Sequence, residues 1–364
     1  MKVLTFFGTR PEIIRLSLIM KLLDKHCEHT MVHTGQNYHE SLSDVFLREL
    51  EIRTPDFHLG VKSNNFADQI AQILRKADEV LEKVKPDKVL ILGDTNSALT
   101  AIVAARRGIP VFHMEAGNRC YDDRVPEEIN RRIIDHASTV LMPYTERSKE
   151  NLIREGIERE RIFVIGNPIY EVLETFREKI EASDVLERLK TERNGYFLMT
   201  LHRAENVDLL ERLKRIFEGV SLVADKFKKR VFVSVHPRTA EKLKRVKINS
   251  EHVVLLEPLG FFDFVKLEKN ALAVLTDSGT VQEECAIFKI PNVTLRDVTE
   301  RPETIEVGSN ILSGAEPFSI LRSVEVAISQ QRRWSAPKEY LAENVSQVVS
   351  KIILGYTSIR KHFS

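Results

Sequence analysis

Short apolar runs alternate with longer amphipathic stretches along the whole chain. KVLTFF (2–7), KVLILG (88–93), PVFHM (110–114), TVLM (139–142) and RIFVIG (161–166) read as strands. So do YFLMTL (196–201), VFVSV (231–235), VVLLE (253–257), LAVLT (272–276) and NVTL (292–295). Between them, 11–25, 66–84, 97–107, 208–227 and 280–288 carry helical patterns. This alternation predicts an α/β protein with parallel sheets and right-handed crossovers. Several strand runs are apolar without period-2 alternation, as expected where both faces of a sheet are covered.

The two halves echo each other. VLILGDTNSALTAIVAARRGIPVFHMEAG and LAVLTDSGTVQEECAIFKIPNVTL both run strand, Asp-containing turn, helix, Ile-Pro, strand. Two similar doubly wound domains are therefore expected, with a boundary near Gly166–Pro168. A length of 364 residues fits about two domains at ~100–200 residues each.

Charge and cysteine content narrow the function classes. With 54 basic and 53 acidic side chains the net charge is +1, so no electrostatic partnership with nucleic acid or anionic membrane is expected. No apolar run approaches the ~20 residues of a membrane span. The apolar stretch Val3 to Phe7 is too short for a signal-peptide core of at least ~7 residues. The three cysteines, Cys27, Cys120 and Cys285, are far apart and form no C-x-x-C. A disulfide framework or cysteine zinc site is not expected, and a cytoplasmic location fits.

In open parallel sheets ligands bind beyond the carboxyl ends of the strands, so candidate chemistry is expected at those positions. After the first run, Thr9 and Glu12 have capping-box spacing around Pro11. Arg10 opposes the helix dipole unless an anion is present, which makes it an anion ligand or a solvated arginine. Asp277-Ser278-Gly279-Thr280 opens a helix and offers hydroxyls and free N–H groups as a phosphate cradle, or else a simply capped helix with Glu283 and Glu284. Neither G-x-G-x-x-G nor G-K-[ST] occurs, which removes the standard dinucleotide and ATP loops. Asp94, Glu115 and Glu127 follow other strands. Asp94 could cap the next helix, and Glu127 and Glu128 could be first-turn acids. Together they could form an acidic cluster for proton transfer. His202-Arg203 and His236-Pro237-Arg238 suit a diphosphate and a proton shuttle. The doubled charges Arg106-Arg107, Arg131-Arg132 and Lys228-Lys229 read as solvated faces, and no metal-ligand spacing is visible.

At these residues the sequence resembles the non-hydrolysing UDP-N-acetylglucosamine 2-epimerase family. The resemblance rests on GTRPEIIRL (8–16), HTGQNY (33–38), GDTNS (93–97), HMEAGNR (113–119) and PEEINR (126–131). It continues through LHRAENVD (201–208), HPR (236–238), DSGTVQEE (277–284) and RDVTERPETIEVG (296–308). It implies the GT-B architecture of two Rossmann-like domains around a cleft: 1–167 with the catalytic acids, 168–345 binding UDP, and 346–364 crossing back. It also implies a homodimer, no cofactor, and a UDP-sugar substrate. The implied reaction is C2 epimerisation of UDP-N-acetylglucosamine to UDP-N-acetylmannosamine by elimination of UDP to a 2-acetamidoglucal and re-addition, supplying polysaccharide synthesis.

Carried over by matching position, Asp94, Glu115, Glu127 and His202 are implied to be catalytic. Arg10, His236, Ser278, Gly279, Thr280 and Arg301 are implied to contact the diphosphate or site, Glu284 the ribose diol, and Phe264 the uracil ring. Gln36-Asn37-Tyr38 departs from the GQH of allosterically activated members, so simple saturation kinetics are expected. GQNY, EAGNRC and DSGT resemble the subgroup converting UDP-2-acetamido-2,6-dideoxy-L-talose to UDP-N-acetyl-L-fucosamine, an alternative substrate. A GT-B glycosyltransferase is the alternative of another class.

Overall fold

A computed structural model describes residues 1–35, 40–63, 65–235 and 237–356. The chain forms two compact units, Met1–Thr175 with the stretch from Glu339 onward, and Phe176–Lys338.

Unit one holds a six-stranded parallel sheet. Its strands are β1 (Lys2–Phe7), β2 (Glu28–His33), β3 (Phe57–His58), β4 (Lys88–Leu92), β5 (Val111–Met114) and β6 (Val140–Met142), in the order β3-β2-β1-β4-β5-β6. Unit two holds β7 (Tyr196–Leu201), β8 (Arg230–Val235), β9 (Val253–Leu256), β10 (Ala273–Thr276), β11 (Asn292–Thr294) and β12 (Asn310–Leu312). Its order, β12-β11-β10-β7-β8-β9, is the same winding read from the opposite edge. Both are the doubly wound pattern in which the strand order reverses beside the first strand.

The apolar runs without alternation are explained by burial on both faces. Along β7, Phe197, Met199 and Leu201 enter one core cluster while Tyr196 and Leu198 enter another on the opposite face. In unit one, Leu4, Phe6, Val89 and Ile91 pack with Ile73, Ala77 and Leu81 of the helix Phe66–Val84.

Two expectations are corrected. The run 161–166 is not a strand: Ile162 makes one isolated bridge to Leu141, and the backbone then trails beside β6 through single bonds to Leu141 and Pro143. The helix expected at 97–107 is divided into a 3₁₀ turn, Asn96–Leu99, and an α-helix, Thr100–Arg106. The division between units falls at Thr175/Phe176, and the helix Ile169–Thr175 packs on the helix Arg10–His26.

The returning segment is tied at both ends of its helix, Val345–Gly355. Glu171 accepts bonds from the Ser346 N–H at 2.7 Å and its hydroxyl at 2.5 Å. At the other end Lys88 Nζ donates to the carbonyls of Ile353 (2.5 Å) and Tyr356 (2.7 Å). An anion at the N-terminus and a cation at the C-terminus match the helix dipole. Among the described residues no helix is long and apolar enough to cross a membrane.

Candidate active site

In unit one the chain leaves β1 through Gly8 and Thr9 into the helix Arg10–His26. Arg10 is half-buried, with its guanidinium carbon 5.6 Å from the centroid of the Phe46 ring. Burial lowers its pKa, and no carboxylate among the described residues opposes that shift. A partly desolvated cation at a helix N-terminus is an anion site in waiting.

Asp94 follows β4. Arg131 Nε donates to its Oδ2 at 2.8 Å, and the Asn130 amide donates to its carbonyl at 3.0 Å. Glu115 follows β5 with φ +64°, a left-handed conformation uncommon for a residue with a Cβ and typical of functional turns. Its carboxylate pairs with the Arg15 guanidinium, which is nearly fully buried and lies over the Tyr144 ring at 5.6 Å. The Asn118 amide donates to Glu115 Oε1 at 3.3 Å. Two carboxylates thus leave adjacent strands, each set against its own arginine.

The neighbouring acids of the helix Pro126–Ala137 divide between two tasks. Glu128 is fully buried and accepts from the N–H groups of Cys120 and Tyr121 (both 3.1 Å) and from Arg131 (2.7 Å). Burial alone would raise its pKa, but those bonds and Arg131 hold it below the ordinary value. Glu127, half-buried beside it, is the candidate for chemistry. Arg131, read from sequence as part of a solvated face, is 3% exposed and bridges Asp94 to Glu128. Its i,i+3 spacing from Glu128 was the available signal; the Arg15–Glu115 pair had none, because it joins positions a hundred residues apart.

Behind these groups lies a fully buried anchor, Asp135. It meets His113 Nδ1 at 2.9 Å, the Gly117 N–H at 3.2 Å and Arg119 at 2.8 Å. His113 Nε2 in turn lies 2.9 Å from the Gly93 carbonyl. The loops that carry Asp94 and Glu115 therefore share one support. Gly117 is required there: φ is +78° and a Cβ would sit 2.2 Å from the Ser148 carbonyl oxygen. Gly117→Ala should cost at least ~1–3 kcal/mol in an unfolding titration, through overpacking and a disfavoured φ.

Glu12 fulfils its expected capping role. It accepts from the Thr9 N–H at 2.7 Å, the Thr9 hydroxyl at 2.8 Å and the Gly8 N–H at 2.8 Å. Burial pushes its carboxyl up to about 7 against the pull of these bonds.

In unit two, β7 runs into His202 and β10 into Asp277. Asp277 is buried and holds the histidine loop rather than facing outward. It accepts from the N–H groups of His202 (3.1 Å) and Arg203 (2.9 Å), and from the Asn206 amide (3.1 Å). The His202 side chain stays 37% exposed, with Nδ1 3.3 Å from Asp277 Oδ1.

Ser278 occupies the N-cap of the helix Gly279–Phe288 without a side-chain cap bond, so the simply capped helix considered above is not what forms. A Cβ on Gly279 would lie 3.4 Å from the guanidinium carbon of Arg301 and 3.0 Å from Glu300 Oε1. The glycine thus lets Arg301 stand directly beside the helix N-terminus, where Glu283 pairs with it. Arg203 and Arg296 both reach Glu300, at 3.2 and 2.8 Å, which joins the LHRAEN and TERPE segments. Thr280 is half-buried in the first turn. Glu284 is 3% exposed, and behind it Glu268 is held well above the ordinary carboxyl value by burial and by Glu284. Phe264 is half-buried against the cluster that includes Val281.

His236 and the Gln36-Asn37-Tyr38 segment lie outside the described residues. Among the described residues no group of three or more His, Cys, Asp or Glu side chains is arranged to hold a metal ion. The three cysteines are free.

A family model described as UDP-N-acetylglucosamine 2-epimerase matches residues 21–354. The chain belongs to the UDP-N-acetylglucosamine 2-epimerase family. It is an isomerase, with the two-domain GT-B architecture. Among its relatives is the UDP-N-acetylglucosamine 2-epimerase of Methanocaldococcus jannaschii, 42% identical over 350 residues, with 93% of this chain and 95% of the relative covered. A crystal structure of the Methanocaldococcus jannaschii enzyme in complex with UDP-GlcNAc and UDP has a TM-score of 0.91 and 41% identity, covering 96% of this chain and 99% of that one. A Pseudomonas aeruginosa relative, UDP-2,3-diacetamido-2,3-dideoxy-D-glucuronate 2-epimerase, is 34% identical over 335 residues, covering 91% of this chain and 93% of its own.

Proposed function

We propose that this epimerase inverts C2 of a UDP-N-acetylhexosamine, converting UDP-N-acetylglucosamine to UDP-N-acetylmannosamine. The observation that carries the reading is the pair of carboxylates Asp94 and Glu115, each set on its own arginine at the ends of adjacent strands. The C2 proton is not next to a carbonyl, so direct abstraction is hard. Elimination solves this: the C1–O bond breaks, UDP leaves with that electron pair, the C2 proton passes to an enzyme base, and a C1=C2 double bond forms. UDP then adds back to C1 while a proton is delivered to the other face of C2. Acid–base groups are needed on two faces. Asp94, Glu115 and Glu127 supply carboxylates for this exchange, and His202 serves as a further proton carrier.

The departing diphosphate needs positive charge and N–H donors. Arg301, the N-terminus of the helix Gly279–Phe288, Ser278 and Thr280 provide them in unit two, and the resemblance implies Arg10 as a further anion ligand. His236 joins them by the resemblance. Glu284 takes the ribose hydroxyls and Phe264 the uracil. The Pseudomonas relative supports a second reading of the substrate, a UDP-sugar altered at C3 or C6, alongside the alternative of UDP-2-acetamido-2,6-dideoxy-L-talose. A homodimer working in the cytoplasm is part of the same proposal.

Incubation with UDP-N-acetylglucosamine in D2O, followed by NMR, tests the reading. Deuterium at C2 with a manno product is expected; donor loss only when an acceptor is added would make the protein a transferase. Running the L-talo and diacetamido-glucuronate nucleotide sugars in parallel assigns the sugar. The exchange should survive EDTA, since arginines and helix N–H groups carry the charge work. Strict dependence on Mg²⁺ or Mn²⁺ would contradict that assignment.

A further inference from the structure

The reaction proposed above gives no part to Glu12, a buried carboxyl group of unit one. Glu12 is 2% exposed. Its Oε2 collects the Gly8 N–H, the Thr9 N–H and the Thr9 hydroxyl. A capping box accounts for the Thr9 N–H bond. It does not account for the other oxygen, Oε1, which leaves the helix and accepts the Thr95 hydroxyl at 2.8 Å.

The placement of the two ends gives this bond its meaning. Gly8 and Thr9 lead directly into Arg10, and Thr95 directly follows Asp94. Both segments leave neighbouring strands, β1 and β4, which pair in parallel. Asn130 and Arg131 already tie Asp94 to the helix Pro126–Ala137. Glu12 ties the same segment to the opposite side, toward Arg10. A buried carboxyl group with donors converging on both oxygens holds them in a fixed geometry, and each buried bond is costly to leave unmade.

We propose that Glu12, acting through Thr95, is a positioning residue that fixes the Asp94 segment against the Arg10 segment. This rests on the functional reading above for the importance of those two residues; the link itself rests on the geometry. Glu12 does not touch substrate. It sets where a proton-transfer group stands relative to an anion-binding one, and small displacements of such groups are costly in rate.

The test uses the full chain with Thr95→Val, Thr95→Ser and Glu12→Gln. Thr95→Val deletes the cross-link and leaves the bonds to Oε2 in place; Thr95→Ser restores the hydroxyl. Hydrogen–deuterium exchange by mass spectrometry reads the segments independently of catalysis, and C2 exchange reads kcat and KM. Thr95→Val should speed amide exchange in 93–99 and lower kcat ~10-fold with KM nearly unchanged, the scale of one hydrogen bond. Its thermal midpoint should stay near that of the wild type, and Thr95→Ser should recover kcat. Glu12→Gln should speed exchange at Gly8 and Thr9 as well.

Unchanged amide exchange in Thr95→Val would overturn the link. Altered exchange with wild-type kcat, or a lower kcat that serine does not recover, would overturn the positioning role. A wild-type enzyme inert toward every UDP-N-acetylhexosamine would instead refute the functional reading, while amide exchange still decides whether Glu12 holds the two segments together.

Discussion

Asp94→Asn, Glu115→Gln and Glu127→Gln should each slow C2 exchange by at least ~10²-fold, the scale of a lost acid–base group. His202→Asn should fall in the same range. The three carboxylate-to-amide changes are nearly isosteric and remove a titratable group rather than volume. Arg131 would keep its bond to Glu128 in Asp94→Asn. Arg15, stacked on Tyr144, would lose its charged partner in Glu115→Gln. UDP affinity of the three unit-one variants should change far less than turnover, because the proposed diphosphate cradle is built chiefly from unit two. Initial rates by NMR, paired with calorimetric UDP titrations, read the two effects separately. Near-wild-type turnover in all four variants would refute the catalytic assignment.

The largest stability effect is expected at Asp135. This carboxylate is fully buried and answers to His113, the Gly117 N–H and Arg119. Asp135→Ala leaves Arg119, also buried, with Glu155 as its carboxylate partner among the described bonds. Breaking a buried charged pair from one side costs about 3–5 kcal/mol. Urea unfolding of the Asp135→Ala variant should show a loss of that size.

The pH dependence follows from the sign of the shift. Burial would raise the Asp135 pKa, but His113 and Arg119 hold it below the ordinary 3.8. Its contribution is therefore present above the unfolded value near 3.8 and is lost as pH falls through the lower folded value. The stability difference between wild type and Asp135→Asn should stay constant near neutrality and narrow below about pH 4. A difference that widened on acidification would contradict the arrangement.

Local signals in the chain were enough for the architecture. Apolar runs such as Phe197–Leu201 lack alternation because both faces of their sheet are covered, and this marks a parallel sheet before any coordinates exist. Strand β2, EHTMVH, is interrupted by polar residues, and β3 and β12 are only two and three residues long, so their pairing depends on neighbours rather than on their own pattern. The run 161–166 looked like a strand by composition, but it reaches only the outer edge of β6 and forms no ladder there. Composition reports burial; it does not report whether a partner strand is in register.

The candidate site divides in the same way. Its motifs were legible because the ends of parallel strands are where loops bearing Arg10, Asp94, Glu115, His202 and Ser278 must emerge. Which acid does what was not legible. Glu127 and Glu128 are adjacent and chemically alike, and only folding puts Glu128 under the N–H groups of Cys120 and Tyr121 while leaving Glu127 half-buried. Asp277 sits in a phosphate-like motif yet turns inward to hold the His202 loop. The partners of Asp94, Glu115 and Glu12 lie 37, 100 and 83 residues away in the chain. Hydrogen bonds and ion pairs act over a few ångströms, so contacts between such distant positions exist only once the sheet has brought their loops to a common edge.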